Sequence, residues 1–210
     1  MDYIIAFIVA FALGFFGMIP PGMITMKLVS ISYHKSFKAA LLFAFGVSSV
    51  EFFQTIFTIH FSKTFGIYFE GNDYIKWGAV LLLLVLAISF FIAKPKSTDS
   101  HLNQKELKTI NKRTSFFKGV FLSIFNVLKY PFWIAQGIYF SNNGIIQDKS
   151  HLIIFSLGSV LGSLLMYYIY IKIGKTILSE FNGLAKNFNK LLAIFFIFLA
   201  IVQLFNIYYG

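Results

Sequence analysis

The chain has 210 residues, of which 58% are apolar and only 12% carry a charge. Soluble domains carry roughly 25% charged residues, so this composition excludes a water-soluble globular protein and predicts an all-α membrane protein. The net charge of +10 is interpreted as a topology signal and not as a nucleic-acid-binding surface, because the basic residues gather in particular loops. The absence of cysteine excludes disulfides, thiolate metal sites and cysteine nucleophiles.

Six apolar segments follow one another along the chain, each close to the ~20 residues that cross a hydrocarbon core as a helix. They cover residues 3–19 with a continuation to 32, then 39–61, 77–93, 116–140, 152–171 and 191–209. Fourteen lysine and arginine residues lie in the first, third and fifth connections, against three in the others. This bias predicts that loops one, three and five are cytoplasmic and that both termini lie outside, in a bacterial-type inner membrane.

The first segment contains the run Gly17–Ile24, in which Pro20, Pro21 and Gly22 stand together. Each proline lacks a backbone N–H and its ring clashes with the carbonyl one turn earlier, so an ordinary helix cannot continue. Lipid cannot satisfy the freed carbonyls, and broken backbone at membrane depth is tolerated only where it is buried in protein or lines a wet cavity. These three residues are therefore candidates for binding a transported substrate. A proline kink that serves packing alone is the alternative.

Glu51 lies near the centre of the second segment and is the only acid within any of the six. A charged acid at a helix centre costs about 2.5–3.5 kcal/mol on insertion scales, so it needs a partner, a cavity or a proton. Ser48 and Thr55 share its helix face, and Gln54 lies beside them; we expect all three to line a pathway. We expect Glu51 to exchange a proton during a transport cycle, and a structural pair with lysine or tyrosine is the alternative.

The fourth segment contains a second proline, Pro131, with Lys129 two residues before it. Three alternatives are open for Lys129: an ion pair with Glu51, contact with a substrate carboxylate, or an extended side chain that reaches the interface. Asn126 lies three residues earlier on the same face, where its amide is suited to the backbone groups freed by Pro131 or to a ligand. Lys129 and Asn126 are candidate substrate-binding residues.

The fifth segment carries a polar stripe on one helix face, in which Tyr167 is expected to line the pathway. Gly158 and Gly162 lie nearby at the four-residue spacing that lets membrane helices approach closely, so packing is their predicted role.

The two halves of the chain share landmarks. Pro21 and Pro131 are 110 residues apart, and Gly46 and Gly158 are 112 apart. We expect a three-helix repeat at 1–93, a cytoplasmic linker at 94–115 and a second three-helix repeat at 116–210, with the first and fourth helices broken by proline. Because three spans is an odd number, the second repeat is inverted relative to the first.

Enzymatic signatures are weak. The chain has no phosphate-binding glycine loop, no histidine pair at metal-ligand spacing and one acid within the spans, so no cofactor, metal or ATP site is predicted. The hypothesis of a different class is a non-transporting membrane scaffold or lipid-handling subunit. A Glu51 that faces its own helix bundle favours transport, and one that faces lipid or a partner chain favours the scaffold.

The motifs and their order resemble the LysE/RhtB-type amino-acid exporters. The run Gly17–Ile24 is similar to the family's proline–glycine signature, and Gly46 with Glu51 to its second-helix pattern, although aspartate is usual there. Gly119 followed by Asn126 is similar to the second-half motif, with Val127 where proline is usual. The resemblance implies a secondary exporter of amino acids or similar metabolites driven by the proton motive force. Its partners would be an amino acid, protons and membrane lipids, without nucleic acid, and the packing glycines are compatible with a homodimer.

Overall fold

The structure is a computed structural model that describes residues 2–18, 22–70, 73–92, 112–126, 129–180 and 182–209. The regular structure within these ranges is entirely α-helical, which confirms the all-α prediction. The helices are α1 (Asp2–Gly17), α2 (Met23–His34), α3 (Phe37–Glu70), α4 (Asp73–Ile92), α5 (Lys112–Ile124), α6 (Lys129–Asn142), α7 (Lys149–Glu180) and α8 (Asn182–Tyr209).

Each predicted apolar segment corresponds to helix. The second, fifth and sixth segments lie within α3, α7 and α8. The third lies within α4 as far as Ile92, and Ala93 is outside the described residues. The first and fourth are each divided between two helices. Two of the described helices contain a stretch long and apolar enough to cross a membrane, Phe37–Ser62 in α3 and Lys149–Ile173 in α7. Shorter apolar stretches lie in α1, α4, α5 and α8. Residues 94–111 of the predicted linker lie outside the described residues.

The helix interruptions fall close to the predicted prolines. At the first, α1 ends at Gly17 and α2 begins at Met23, while Pro20 and Pro21 lie outside the described residues. At the second, α5 ends at Ile124 and α6 begins at Lys129, which makes Pro131 the third residue of α6. A proline is readily accommodated in the first turn, where its missing N–H would have no intrahelical acceptor. Pro131 therefore belongs to the start of a helix and not to the middle of one.

Glycines set the distance between α1 and α7. At Gly158 and Gly162 of α7, an added Cβ would collide with the carbonyl oxygens of Phe7 and Phe11 in α1. At Gly14 of α1, an added Cβ would collide with the backbone of α7 in return. The packing role predicted for the two α7 glycines is therefore confirmed. The contact moves from Phe7 to Phe11 in α1 as it moves from Gly158 to Gly162 in α7, so the two helices run parallel.

Glycines also allow a close approach between α3 and α5. An added Cβ at Gly46 would collide with the carbonyl oxygen of Phe116, and one at Gly119 would collide with the backbone of α3. Further along both helices, Gln54 donates to the carbonyl oxygen of Ser123 at 3.0 Å. These contacts also rise together, so α3 and α5 run parallel.

The chain divides into two compact units. The first contains α1, α2, α5, α6, and α3 and α7 up to Lys63 and Ser179, respectively. In it an apolar cluster joins α1, α3, α6, α7 and the α6–α7 turn. The apolar cluster consists of Ala6, Ala10, Ile59, Trp133, Phe140, Ile146, Leu152 and Phe155.

The second unit consists mainly of α4 and α8, which pack against each other. The Trp77 ring near the start of α4 meets the Tyr208 ring near the end of α8 edge to face, with 6.4 Å between centroids. These two helices therefore run antiparallel.

Candidate substrate and proton site

The site is built around the carboxylate of Glu51, whose side chain is 3% exposed in the middle of α3. Its Oε1 accepts a hydrogen bond from Nζ of Lys129 at the start of α6. The same oxygen accepts a hydrogen bond from the hydroxyl of Tyr167 in α7, at 2.6 Å. A buried carboxylate is tolerated only when such partners compensate its lost hydration. Three helices thus supply one ion pair and one phenolic hydrogen bond at a single point.

Tyr167 connects this point to the first helix interruption. The side chain is fully buried, and its oxygen lies 3.4 Å from the Sδ atom of Met18. Met18 directly follows α1, so the end of α1 lies beside the Tyr167 hydroxyl that binds Glu51. The sequence interpretation missed Met18 because a methionine in an apolar run carries no signal that separates a site residue from a packing residue.

Gln54 forms a second polar layer one turn beyond Glu51 along α3. Its Nε2 donates to the carbonyl oxygen of Ser123, in the last turn of α5, and to the hydroxyl oxygen of Tyr130 at 2.9 Å. Oε1 of Gln54 is buried and has no hydrogen-bond partner among the described residues, as is also true of Oγ of Ser48. Ser123 and Tyr130 were missed by the sequence interpretation, although Tyr130 adjoins the predicted Lys129.

The backbone makes different contacts at the two interruptions. Gly22 precedes α2 in an extended conformation, φ −97° and ψ −174°, and its carbonyl accepts from the hydroxyl of Thr25 at 2.8 Å. Because glycine has no side chain, it supplies no side-chain cap to the first N–H groups of α2. Asn126 participates through its backbone. Its N–H donates to Ser123, and its carbonyl accepts from the N–H of Lys129, at 3.1 and 3.2 Å.

Some of the predicted site residues meet at the Glu51 carboxylate or next to it, and others contact only the backbone. Glu51, Lys129, Tyr167 and Gln54 meet through direct or adjacent hydrogen bonds. The hydroxyl of Thr55 donates to the backbone carbonyl of Glu51 at 2.8 Å, so it contacts the helix and not the carboxylate. Of the three open alternatives for Lys129, the structure has the ion pair with Glu51.

The charges at this point suit the exchange of a proton or of a charged ligand. The Lys129 ammonium group and the Tyr167 hydroxyl both donate to the same oxygen of Glu51. Another cation or a proton that binds this oxygen can replace either donor. Within the described ranges, no group of three or more histidine, aspartate or glutamate side chains is arranged to hold a metal ion.

The comparisons with known proteins agree with this organisation. The family model for LysE type translocators matches residues 15–206, from the end of α1 almost to the end of α8. Searches of curated proteins and of solved structures found no match. The match covers most of the chain and includes every residue of the Glu51 site, and it confirms the family resemblance predicted from the motifs. The chain belongs to the LysE type translocator family, a family of membrane transporters.

Proposed function

We propose that this protein is a secondary transporter that exports amino acids or similar small metabolites across the inner membrane, driven by the proton motive force. The observation that carries the proposal is the buried contact of Glu51 with Lys129 and Tyr167. This contact lies beside two helix interruptions in a chain of a transporter family.

The ion pair has the two charges that a free amino acid also carries. A substrate carboxylate replaces Glu51 as the partner of Lys129, and the substrate ammonium group replaces Lys129 as the partner of Glu51. Breaking a buried pair by removing one partner costs about 3–5 kcal/mol, so a ligand with only one charge leaves the other buried group uncompensated. The site therefore favours zwitterions over simple amines or acids.

Protons enter the cycle at the same carboxylate. A proton on Glu51 neutralises it, weakens its attraction to Lys129 and to a substrate ammonium group, and so couples proton binding to substrate release. Tyr167 donates its hydrogen bond most strongly to the ionised form of Glu51. We assign substrate binding to Pro20, Pro21, Gly22 and Asn126. The unpaired N–H groups at the start of α2 carry partial positive charge, which attracts the substrate carboxylate.

The proposed architecture is six spans in two inverted three-helix repeats, 1–93 and 116–210, joined by the linker 94–115. In a chain that alternates direction, spans one and five run the same way, as do spans two and four. The parallel pairs α1–α7 and α3–α5, and the antiparallel pair α4–α8, have the directions this topology requires. In the proposed repeat, span one corresponds to span four and span two to span five. The pair α1–α7 therefore corresponds to the pair α3–α5. The lysine-rich loops one, three and five are then cytoplasmic, and both termini are outside.

The observed surroundings of Glu51 favour transport over the scaffold or lipid-handling alternative. Its side chain faces α6 and α7 of its own bundle, where a residue reserved for lipid or a partner chain would point outward. The proposed partners are an amino acid, protons and membrane lipids, without nucleic acid, and a homodimer is compatible with this arrangement.

The experiment is uptake and efflux of a panel of radiolabelled amino acids in proteoliposomes with an imposed pH gradient. We expect gradient-dependent movement of one or a few amino acids by the wild type and at least a hundredfold loss in Glu51→Gln, a loss comparable with that of one essential transition-state contact. Asp148→Asn is the matched control, because it removes an exposed carboxylate while keeping a good N-cap residue. Absence of movement in folded wild-type protein would overturn the proposal.

A further inference from the structure

We propose that protons reach Glu51 along a column of hydroxyl groups on α3, formed by Thr55, Thr58 and Ser62, and not along the route taken by substrate. This inference rests on the proposed function and assigns the path by which its coupling ion moves. The hydroxyl column extends from the site toward the end of α3 that, in the proposed topology, faces outside.

The spacing places the column on one helix face. Positions 51, 55, 58 and 62 are separated by four, three and four residues, which is the repeat of a single stripe. The stripe covers 11 residue steps, or roughly 16 Å of helix axis at 1.5 Å per residue. Thr55 and Ser62 are fully buried and Thr58 is 4% exposed, so the stripe lies inside the bundle along its whole length.

The hydrogen bonds distinguish one member of the column from an ordinary helix hydroxyl. Serine and threonine in helices commonly donate back to a carbonyl one turn earlier. Thr55 does so to Glu51, and Ser62 does so to Ile59 at 2.7 Å. The hydroxyl of Thr58 is buried and has no partner among the described residues. An unpaired buried hydroxyl destabilises a fold, so packing alone gives no reason for threonine at this position.

The surroundings of the column restrict what can travel along it. Ile59, between Thr58 and Ser62 in sequence, belongs to the apolar cluster, which also contains Trp133 and Phe155. Gly137 of α6 lies directly against Ser62, where an added Cβ would collide with the hydroxyl. A gap of this kind has no room for an amino acid. In the proposed path, the hydroxyl oxygens and single water molecules that enter between them carry the proton.

The column continues onto α6. Ser141 lies one turn beyond Gly137, on the same face of that helix, and its buried hydroxyl also has no partner among the described residues. It stands next to Asn142, the last residue of α6. The polar route from Glu51 thus reaches the end of the bundle while the apolar cluster closes the space beside it to substrate.

Each transfer conserves atoms and charge. The Cβ atoms of residues three and four apart on a helix are about 5–6 Å apart, so one water molecule can bridge their hydroxyl groups. A proton added to the outer water passes inward as each hydroxyl accepts one proton and releases another. Glu51 ends as the neutral acid, and the hydroxyls and waters are restored when they reorient.

The test compares Thr58→Val with Thr58→Ser in full-length protein reconstituted in proteoliposomes. Valine keeps the branched shape and removes the hydroxyl, and serine keeps the hydroxyl. One assay follows exchange of a radiolabelled L-amino-acid mixture at equal pH, and the other follows the internal pH with a trapped dye under an imposed pH gradient. The thermal unfolding midpoint of each variant verifies that it is folded.

We expect Thr58→Val to retain exchange and to unfold at the same or a higher temperature, because the removed hydroxyl is buried without a partner among the described residues. Gradient-driven proton movement should slow about tenfold. Thr58→Ser should match the wild type in both assays. Unchanged proton movement in Thr58→Val, or an equal loss in both assays, would overturn the column. A wild type that neither exchanges amino acids nor moves protons would instead overturn the proposed function, and this inference with it.

Discussion

The two longest helices, α3 and α7, are packed alike but carry different chemistry. Each lies parallel to a shorter helix of the other half, and at each the approach depends on a glycine, Gly46 in α3 and Gly158 in α7. The position 112 residues after Glu51 is Ser163, which is neutral. The close glycine contact is therefore present in both helices, whereas the buried carboxylate of Glu51 belongs to α3.

If the halves are repeats of one framework, as proposed above, the site depends on the difference between them. A carboxylate in both helices at equivalent depth would place two like charges near one another at a cost in a low-dielectric interior. With an acid in α3 and Tyr167 in α7, one helix accepts a hydrogen bond that the other donates. Variants that alter the charge are expected to affect transport most, and variants that alter the packing should affect both helices equally.

The largest effect is expected for Lys129→Ala. It leaves the Glu51 carboxylate buried without its cation, which should lower the free energy of unfolding by about 3–5 kcal/mol and weaken binding of carboxylate substrates. The double variant Glu51→Gln/Lys129→Met removes both charges, so it should recover most of that stability and none of the transport. Denaturant unfolding in detergent and substrate affinity in proteoliposomes measure the two effects. A double variant as unstable as Lys129→Ala would contradict the ion-pair interpretation.

A smaller effect is expected for Tyr167→Phe, which removes the hydroxyl and keeps the ring. The lost bond joins a phenol to a carboxylate, and hydrogen bonds to charged groups contribute about 1.5–3 kcal/mol, so gradient-driven transport should slow at least tenfold. Tyr168→Phe is the matched control, because its side chain is 38% exposed on the same helix. Equal rates in the two variants would assign Tyr167 to packing.

The sequence predicted where the helices lie because uninterrupted runs of about 20 apolar residues favour helices. It singled out Glu51 and Lys129 as isolated charges within apolar segments, but it gave their ion pair only as one of three alternatives for Lys129. It did not predict that Pro131 opens α6, because a proline within an apolar run fits a kink and a helix start equally. Met18, Ser123 and Tyr130 were missed because their roles arise from tertiary contacts between helices distant in sequence.

The smallest effect is expected when a packing glycine is replaced by alanine, and it should be similar in α3 and α7. Gly46→Ala and Gly158→Ala each add a methyl group where a carbonyl oxygen of the facing helix already lies, and such overpacking costs about 1–3 kcal/mol. Gly78→Ala in α4 is the control, because no atom lies within 4 Å of the added group, and alanine favours helix by about 1 kcal/mol.

If the halves share one framework, both glycine variants should lower the unfolding midpoint in detergent by similar amounts, and the control should not. Transport at a temperature where all three variants are folded should fall less than in Lys129→Ala, since the three charged and phenolic side chains are retained. A large loss in Gly46→Ala alone would show that α3 bears packing strain that α7 does not. The asymmetry of the molecule would then extend from its chemistry to its framework.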